Sequence, residues 1–575
     1  CDVERLLQGK TRDQIIDDAE ALIGEIEEYK EQLSHEEPDT VKKIFDLRCD
    51  VQIALHTVGS YDALRVSENM GNKQARADQS SLGDIASRFG IRTMFFTQWI
   101  KHLEDDEFQK LRNSEVLQEY QYALDRIRSG VPFMLSDEAE EAVTIKDNAL
   151  SQLNTIYDVL NTQITYDMEE EKNLTREEIG KYRESTNPEK REEAYDVFHS
   201  TFQEYKDVFS EIYVGVVKDW SQEALELRNY KSPLHVRTHS QDIPVDAVEN
   251  MLDVVRNNIE IYHDFFSLHD ALLHEDGKEF EYDRRHIYAP LETTDAEYEF
   301  EESLELVLDV YESFSPRFAE ILEDVAEKRV HSHPQEGKRN GAFCLGPHTQ
   351  ASPYVMLNHT DDLNSLFVMA HEFGHAVHFE LSKGQKQPYY DAVLPLAETA
   401  SVFGEMLLAD RLLEDADESE RKAVLVRLLK NTFATIPRQA YFILFEIQAH
   451  DKILNGGSQD DLDDIYWELL EEQFGDMKIP DHFRVEWNAL PHMHQTPFYC
   501  YAYTWGNLLT LALYDIYKEE GDAFVKKYTD LLASGSSESP ASLLEPFGID
   551  IHDKSFWQRG FDTIHRYLDE LRSLE

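Results

Sequence analysis

Apolar residues recur at three- and four-residue intervals through Asp13–Leu33 and Val41–Val58, with acids filling the positions between them. That spacing predicts helices that each bury one face. The same texture continues along most of the chain. Strand signals are few, the best being Tyr354-Val-Met-Leu357, which follows the glycine-bearing run Gly341-Ala-Phe-Cys-Leu-Gly346-Pro347. Breakers cluster near Ser185–Pro188, Lys231–Pro244, His331–Pro347, Gly456–Asp461 and Gly535–Pro540, and no internal repeat joins them. The expected class is mainly α, divided into an N-terminal helical domain over 1–185 and a larger, mostly helical domain over 186–575.

Composition changes this picture in one respect. The 575 residues carry 113 acids against 56 bases, a formal net charge of −57. With 41% hydrophobic and 11% aromatic residues, the chain has the material for large cores and is not a disordered acidic tail. So negative a surface repels phosphate backbones and anionic bilayers, which argues against nucleic acid and membrane partners. At about 1 M salt the Debye length falls to about 3 Å, and surface carboxylates then scarcely sense one another. The charge is therefore read as adaptation to a salt-rich, halophilic cytoplasm. Cys1, Cys49, Cys344 and Cys500 are widely spaced, which fits a reducing compartment and argues against a thiolate metal site. No run approaches the roughly 20 apolar residues of a membrane helix. A cytoplasmic location is expected, and oligomeric state is left open.

The chemistry concentrates in His371-Glu-Phe-Gly-His375. On a helix, His371 and His375 lie about 40° apart round the axis, one turn above the other, and can offer two imidazole nitrogens to one ion. Glu372 sits about 60–100° round the same side, where it can reach a water on the metal without ligating the metal itself. Asp361 or Asp362 can cap this helix, and Leu366, Phe367, Ala370, Phe373, Val377 and Leu381 supply its apolar stripe. Among so many acids, nearness alone cannot pick a third ligand. Glu380 lies about 140° round from His375 and points away. Glu398, a lone acid in Leu394-Pro-Leu-Ala-Glu-Thr-Ala-Ser401, reads as a buried carboxylate that needs a cation or several donors. If Pro395 starts a second helix, Glu398 and Glu405 share its face. Glu398 is assigned as ligand, Glu405 as support behind it, and His378 as packing beside the metal face. His331, His333 and His348 lack acid partners at ligand spacing and are read as loop residues.

A second unusual segment is Pro491-His-Met-His-Gln-Thr-Pro-Phe-Tyr-Cys-Tyr-Ala-Tyr503. Thr496-Pro497 makes a good N-cap and first helical position. A helix starting there puts Tyr499 and Tyr503 on one face and Tyr501 elsewhere. By pattern alone such an aromatic stripe is more often core than catalytic.

The HEFGH motif followed by Glu398-Thr-Ala-Ser401 resembles the thimet-oligopeptidase-like zinc metallopeptidases, and within them oligoendopeptidase F. The run Arg339–Gly346, then Pro353–Asn358, Asp361-Asp362, Arg438-Gln439 and Phe445-Glu446 carries the same resemblance from roughly residue 190 to the C-terminus. Before that, only the helical, acidic composition is shared. The resemblance implies a two-lobed helical zincin-type fold around a deep central channel, with a small sheet beside the metal helix. It implies a cytoplasmic zinc endopeptidase for short oligopeptides, with one Zn²⁺ per chain held by His371, His375 and Glu398 and with Glu372 as general base to a metal-activated water. It implies His492 and Tyr503, with Tyr499 beside them, as groups polarising the scissile carbonyl. Gln495 departs from the family, which carries His there, and leaves the part of His494 open. Two rival readings remain at this level: a zinc peptidase of another group, thermolysin-like or an aminopeptidase, and an acidic helical interaction protein without activity.

Overall fold

The computed structural model describes residues 3–275, 279–291 and 297–574. They form two compact units, each assembled from three stretches of chain. The first comprises Cys1–Pro132, Ala296–Arg411 and Ile516–Gly548; the second comprises Phe133–Asp295, Leu412–Asp515 and Ile549–Glu575. Among the described residues no helix is long and apolar enough to cross a membrane.

The first unit opens with the helix Arg12–Glu28, started by a capping box in which Thr11 accepts from the Gln14 N–H and Gln14 from the Thr11 N–H. The helix ends earlier than the periodicity suggested, because residues Lys30–Gln32 tighten into a 3₁₀ turn. Its partner Pro38–Glu68 runs further than expected. Ile23, Ile26, Val41, Ile44, Phe45 and Phe96 of Lys73–His102 meet in the core between these helices. Truncating such a buried Leu, Ile or Phe to Ala costs about 2–5 kcal/mol. Arg12 pairs with the buried Asp62 at 2.9 Å and fastens the first helix to the second.

The sheet of this unit has three short strands in the order β1-β3-β2. β1 (Val330–His331) runs parallel to β3 (Tyr354–Met356), with Val330 opposite Val355. β2 (Phe343–Leu345) runs antiparallel to β3, with Cys344 opposite Val355. His331 thus belongs to a strand rather than a loop, as β1 continues straight out of the helix Pro316–Arg329. Every residue of β3 is buried, whereas β2 is half-buried and lies at the edge. Lys338 ties the strand ends together by donating to the carbonyls of His331, His333 and Leu357.

From the sheet the chain enters the helix Leu363–Ser382, whose N-cap is Asp362: its Oδ1 accepts from the Ser365 N–H at 2.7 Å. Two glycines bring the next segment close. A Cβ on Gly374 would lie 2.3 Å from the Ala400 carbonyl oxygen, and one on Gly404 would lie 1.8 Å from Tyr311 Oη. The Tyr311 hydroxyl uses that space to donate to the Ala370 carbonyl at 2.8 Å.

The second unit is built on the helix Pro188–Gln222, started by Asn187, whose side chain accepts from the Glu189 and Lys190 N–H groups. Its core gathers Tyr157, Tyr166, Phe198, Phe202 and Phe209. Deeper in the unit Arg438 and Tyr466 donate to the two oxygens of Glu486, at 2.8 and 2.9 Å. Burial alone would push that carboxyl up, but Arg438 and Arg284 hold it well below the usual carboxylate range. A buried acid is retained here because its charge is matched.

Candidate metal centre

His371 and His375 project from adjacent turns of Leu363–Ser382, their ring centroids 4.9 Å apart. Glu398 Oε2 lies 3.4 Å from His371 Nε2 and 3.3 Å from His375 Nε2. All three donor atoms fall within 4.8 Å of one another. Glu398 does not sit inside a helix. The short helix Leu394–Ala397 stops before it and Thr399–Asp415 starts after it. The break at Glu398 turns the carboxylate toward the histidines, and the close approach at Gly374 lets it reach them.

The groups behind the donors fix their orientation. Glu405 Oε1 accepts from the His371 Nδ1–H at 2.8 Å, which leaves Nε2 as the free lone pair. Ser401 Oγ–H donates to Glu398 Oε2 at 2.7 Å. His378 is buried, which lowers its pKa to about 4, and it bonds to the Ala397 carbonyl just before Glu398. Burial opposes charge on His371 and Glu398 alike. Their mutual contact outweighs it, with Glu405 also acting on His371, so that His371 is held well above its ordinary value and Glu398 well below. Glu372 lies beside them, 7% exposed. Burial raises its pKa, with His371, His375 and a backbone hydrogen bond from Cys344 opposing the rise. Two oriented imidazole nitrogens and one oriented carboxylate oxygen are a donor set that suits zinc. Ala342, Phe343 and Cys344 line the same cleft as these residues.

A second acidic triad, Asp147, Asp219 and Glu223, also meets a ligand-distance criterion among the described residues. Lys146 Nζ lies within 3.5 Å of all three, so the chain supplies its own cation there.

His492, Tyr499 and Tyr503 come together in the second unit. Tyr503 Oη lies 3.4 Å from His492 Nε2. The His492 and Tyr499 rings stack at 5.4 Å, and Tyr499 meets Tyr503 edge-on at 5.4 Å. The helix does not begin at Pro497, as Thr496-Pro497 had suggested. A short helix covers Pro491–Gln495, and the long one begins at Tyr501. Between them Phe498 takes a left-handed conformation, φ 59°, uncommon for a bulky residue. The turn is held by the fully buried Glu446, whose Oε1 accepts from the Phe498 N–H at 2.8 Å, and by Arg237, which donates to the Pro497 carbonyl at 3.0 Å. Tyr501 is buried. His494 is also core: it is fully buried, stacks on Tyr157 at 4.2 Å and donates to the Leu490 carbonyl. Gln495 donates to Asp158 at 2.7 Å.

Comparison with known proteins adds the decisive observation. Residues 181–563 match the model of peptidase family M3, and residues 99–165 match that of the oligopeptidase F N-terminal region. The chain belongs to peptidase family M3. It is therefore a metalloendopeptidase, which removes the reading as an inactive interaction protein. The likeness to the family extends into the N-terminal third, where the residues alone showed only shared composition. Oligopeptidase PepF of Bacillus subtilis is 28% identical over 96% of this chain and 83% of its own length. An oligoendopeptidase F homolog of Borreliella burgdorferi is 24% identical over 93% and 91%. Among solved structures, oligoendopeptidase-F from Enterococcus faecium superposes with a TM-score of 0.73 at 21% identity, covering 98% of this chain and 99% of that one. PZ peptidase A superposes with a TM-score of 0.78 at 17% identity, covering 97% and 98%. Both share the mainly helical M3 fold.

Residue reading missed three contributors to this centre. Ser401 enters the sequence reading only as part of the motif, Gly374 only as a letter of HEFGH, and Asp391, which also lines the cleft, not at all. A hydroxyl three residues after the candidate ligand was the one available signal, and only for Ser401.

Proposed function

We propose that this M3 peptidase cleaves internal bonds of short oligopeptides, with one zinc ion per chain held by His371, His375 and Glu398. The observation that carries the reading is the convergence of those three donors beside the buried Glu372. Bound zinc supplies a Lewis acid that lowers the pKa of water and polarises a carbonyl. Glu372 takes a proton from the attacking water at its carboxylate and delivers it to the leaving amine. Its burial, which raises its pKa, suits a base that must also serve as an acid. Glu405 keeps His371 in the tautomer that coordinates. The edge of β2 offers main-chain hydrogen bonds to an extended peptide. The Tyr503 hydroxyl and the His492 ring, with Tyr499 packed against both, donate to the carbonyl oxygen as it gains charge. His492 suits this as a neutral donor, since burial lowers its pKa. Both residue groups lie within 186–575, the stretch assigned here to the peptidase domain, behind an N-terminal helical domain over 1–185.

Glu372→Gln tests the base: zinc should stay bound, while cleavage of an N-terminally blocked, quenched decapeptide should vanish. Retained cleavage would remove Glu372 from the mechanism. The setting we propose is a salt-rich cytoplasm, on the strength of the −57 charge. Its measure is a melting temperature that climbs steeply with KCl, and a flat response would remove it.

A further inference from the structure

The hydrolytic reading uses His371, Glu372, His375 and Glu398 but leaves another wall of their cleft without a task. The cleft encloses about 410 Å³, and Phe343, Phe379, Tyr390 and Asp391 also line it. Phe343 on β2 and Phe379, one turn beyond His375, are each half-buried, so part of each ring is left to the cleft. Phe379 is held firmly in place. A Cβ on Gly346 would come within 2.3 Å of its ring, and Tyr390 packs against it with centroids 5.6 Å apart.

Asp391 follows Tyr390 directly and is exposed. No hydrogen bond or ion pair within the described residues reaches its carboxylate. Although part of its surface meets solvent, the protein around it desolvates the carboxylate enough to raise its pKa, against a weaker pull from His56. Beside the hydrolytic centre, then, the cleft combines aromatic surface with a carboxylate that has no hydrogen-bonded or ion-paired partner among the described residues. Alkyl stems of lysine and arginine cover aromatic and apolar surface while their charged heads seek a partner, and a cation on a carboxylate makes a charge-assisted hydrogen bond. A glutamate or aspartate side chain in the same place would meet like charge.

We infer that Asp391 is a specificity-determining residue that pairs with a lysine or arginine side chain of the peptide, close to the bond being cut. The inference rests on the hydrolytic function proposed above. It differs from a general attraction of cationic peptides to a protein of charge −57. That field acts at every position of the peptide and is screened over about 3 Å at about 1 M salt, whereas a contact acts at one position and persists.

The test walks a single lysine, with glutamine as its neutral counterpart, through each position of an otherwise uncharged quenched peptide. Both ends are blocked, so that a terminal amine cannot stand in for the side chain. Cleavage by the zinc-loaded enzyme at about 1 M KCl is mapped by mass spectrometry. Lysine should raise kcat/KM over glutamine about fivefold at one position relative to the cleaved bond. Asp391→Asn should bring that ratio to about one there, and Asp391→Lys should bring it below one. Because each readout is a ratio within one enzyme, a general loss of activity cancels. A lysine gain that is equal at all positions, or one that survives Asp391→Asn, overturns the inference and leaves the peptidase intact. Absence of cleavage in every wild-type reaction overturns the hydrolytic function, and the inference with it.

Discussion

The candidate metal centre and the aromatic segment 491–503 each gather polar side chains into a small cluster, but they do so by different means. Two of the three donor residues at the metal centre come from one helix, and helical geometry alone puts His371 over His375. The aromatic segment draws His492 from a short helix, Tyr499 from a turn and Tyr503 from a second helix. These residues meet only because Phe498 accepts a left-handed backbone that Glu446 holds from the core. Clusters built on one helix follow from spacing; clusters built on a turn depend on whatever buried group stabilises that turn.

The sharpest way to test this contrast is to separate the two roles. Tyr503→Phe should lower kcat about 10²–10³-fold, as loss of a transition-state donor does, while zinc content stays at one per chain. Unchanged kcat would leave the aromatic segment a core feature, the reading its pattern alone favours. Glu405→Gln should act on the opposite side, weakening zinc about 10–100-fold in a chelator competition, because it loosens His371 without removing a ligand. Affinity equal to wild type would show that helix geometry orients the ring unaided.

The remaining prediction concerns the turn. Burial pushes the Glu446 carboxyl up to about 8, against the Phe498 N–H and Arg237. Its folded pKa therefore lies above its unfolded value of about 4.3. Stability present below the unfolded value is lost as pH rises through the folded one, by at most about 1.4 kcal/mol per pH unit. Glu446→Gln keeps an acceptor for Phe498 and does not titrate. Relative to wild type, it should gain stability between pH 5 and pH 8 in denaturant titrations. A pH-independent difference would show that Glu446 is ionised in its buried position and that the turn bears a full charge.

The helical class, the capped metal helix and its two histidines were legible because each follows from contacts within about one turn of chain. Asp362 caps as expected, and Glu405 stands behind His371 as assigned. The break at Glu398 was not legible: Pro395 does open a helical turn, but the chain leaves it again at the carboxylate. The aromatic segment misled for a related reason. Thr496-Pro497 is locally a good helix start, and it was overruled by a buried acceptor some fifty residues earlier in the chain.

By itself the sequence determined periodicity, charge and the identity of the chemical groups, all of which local covalent geometry and composition settle. Tertiary structure alone decided how closely those groups approach. Gly374 matters because the Ala400 carbonyl comes against it, Ser401 because Glu398 turns back onto it, and Asp391 because residues distant in the chain leave it facing the same cleft as Glu372. Such distances are set by packing between segments, and packing depends on volumes and partners that no single stretch of sequence contains.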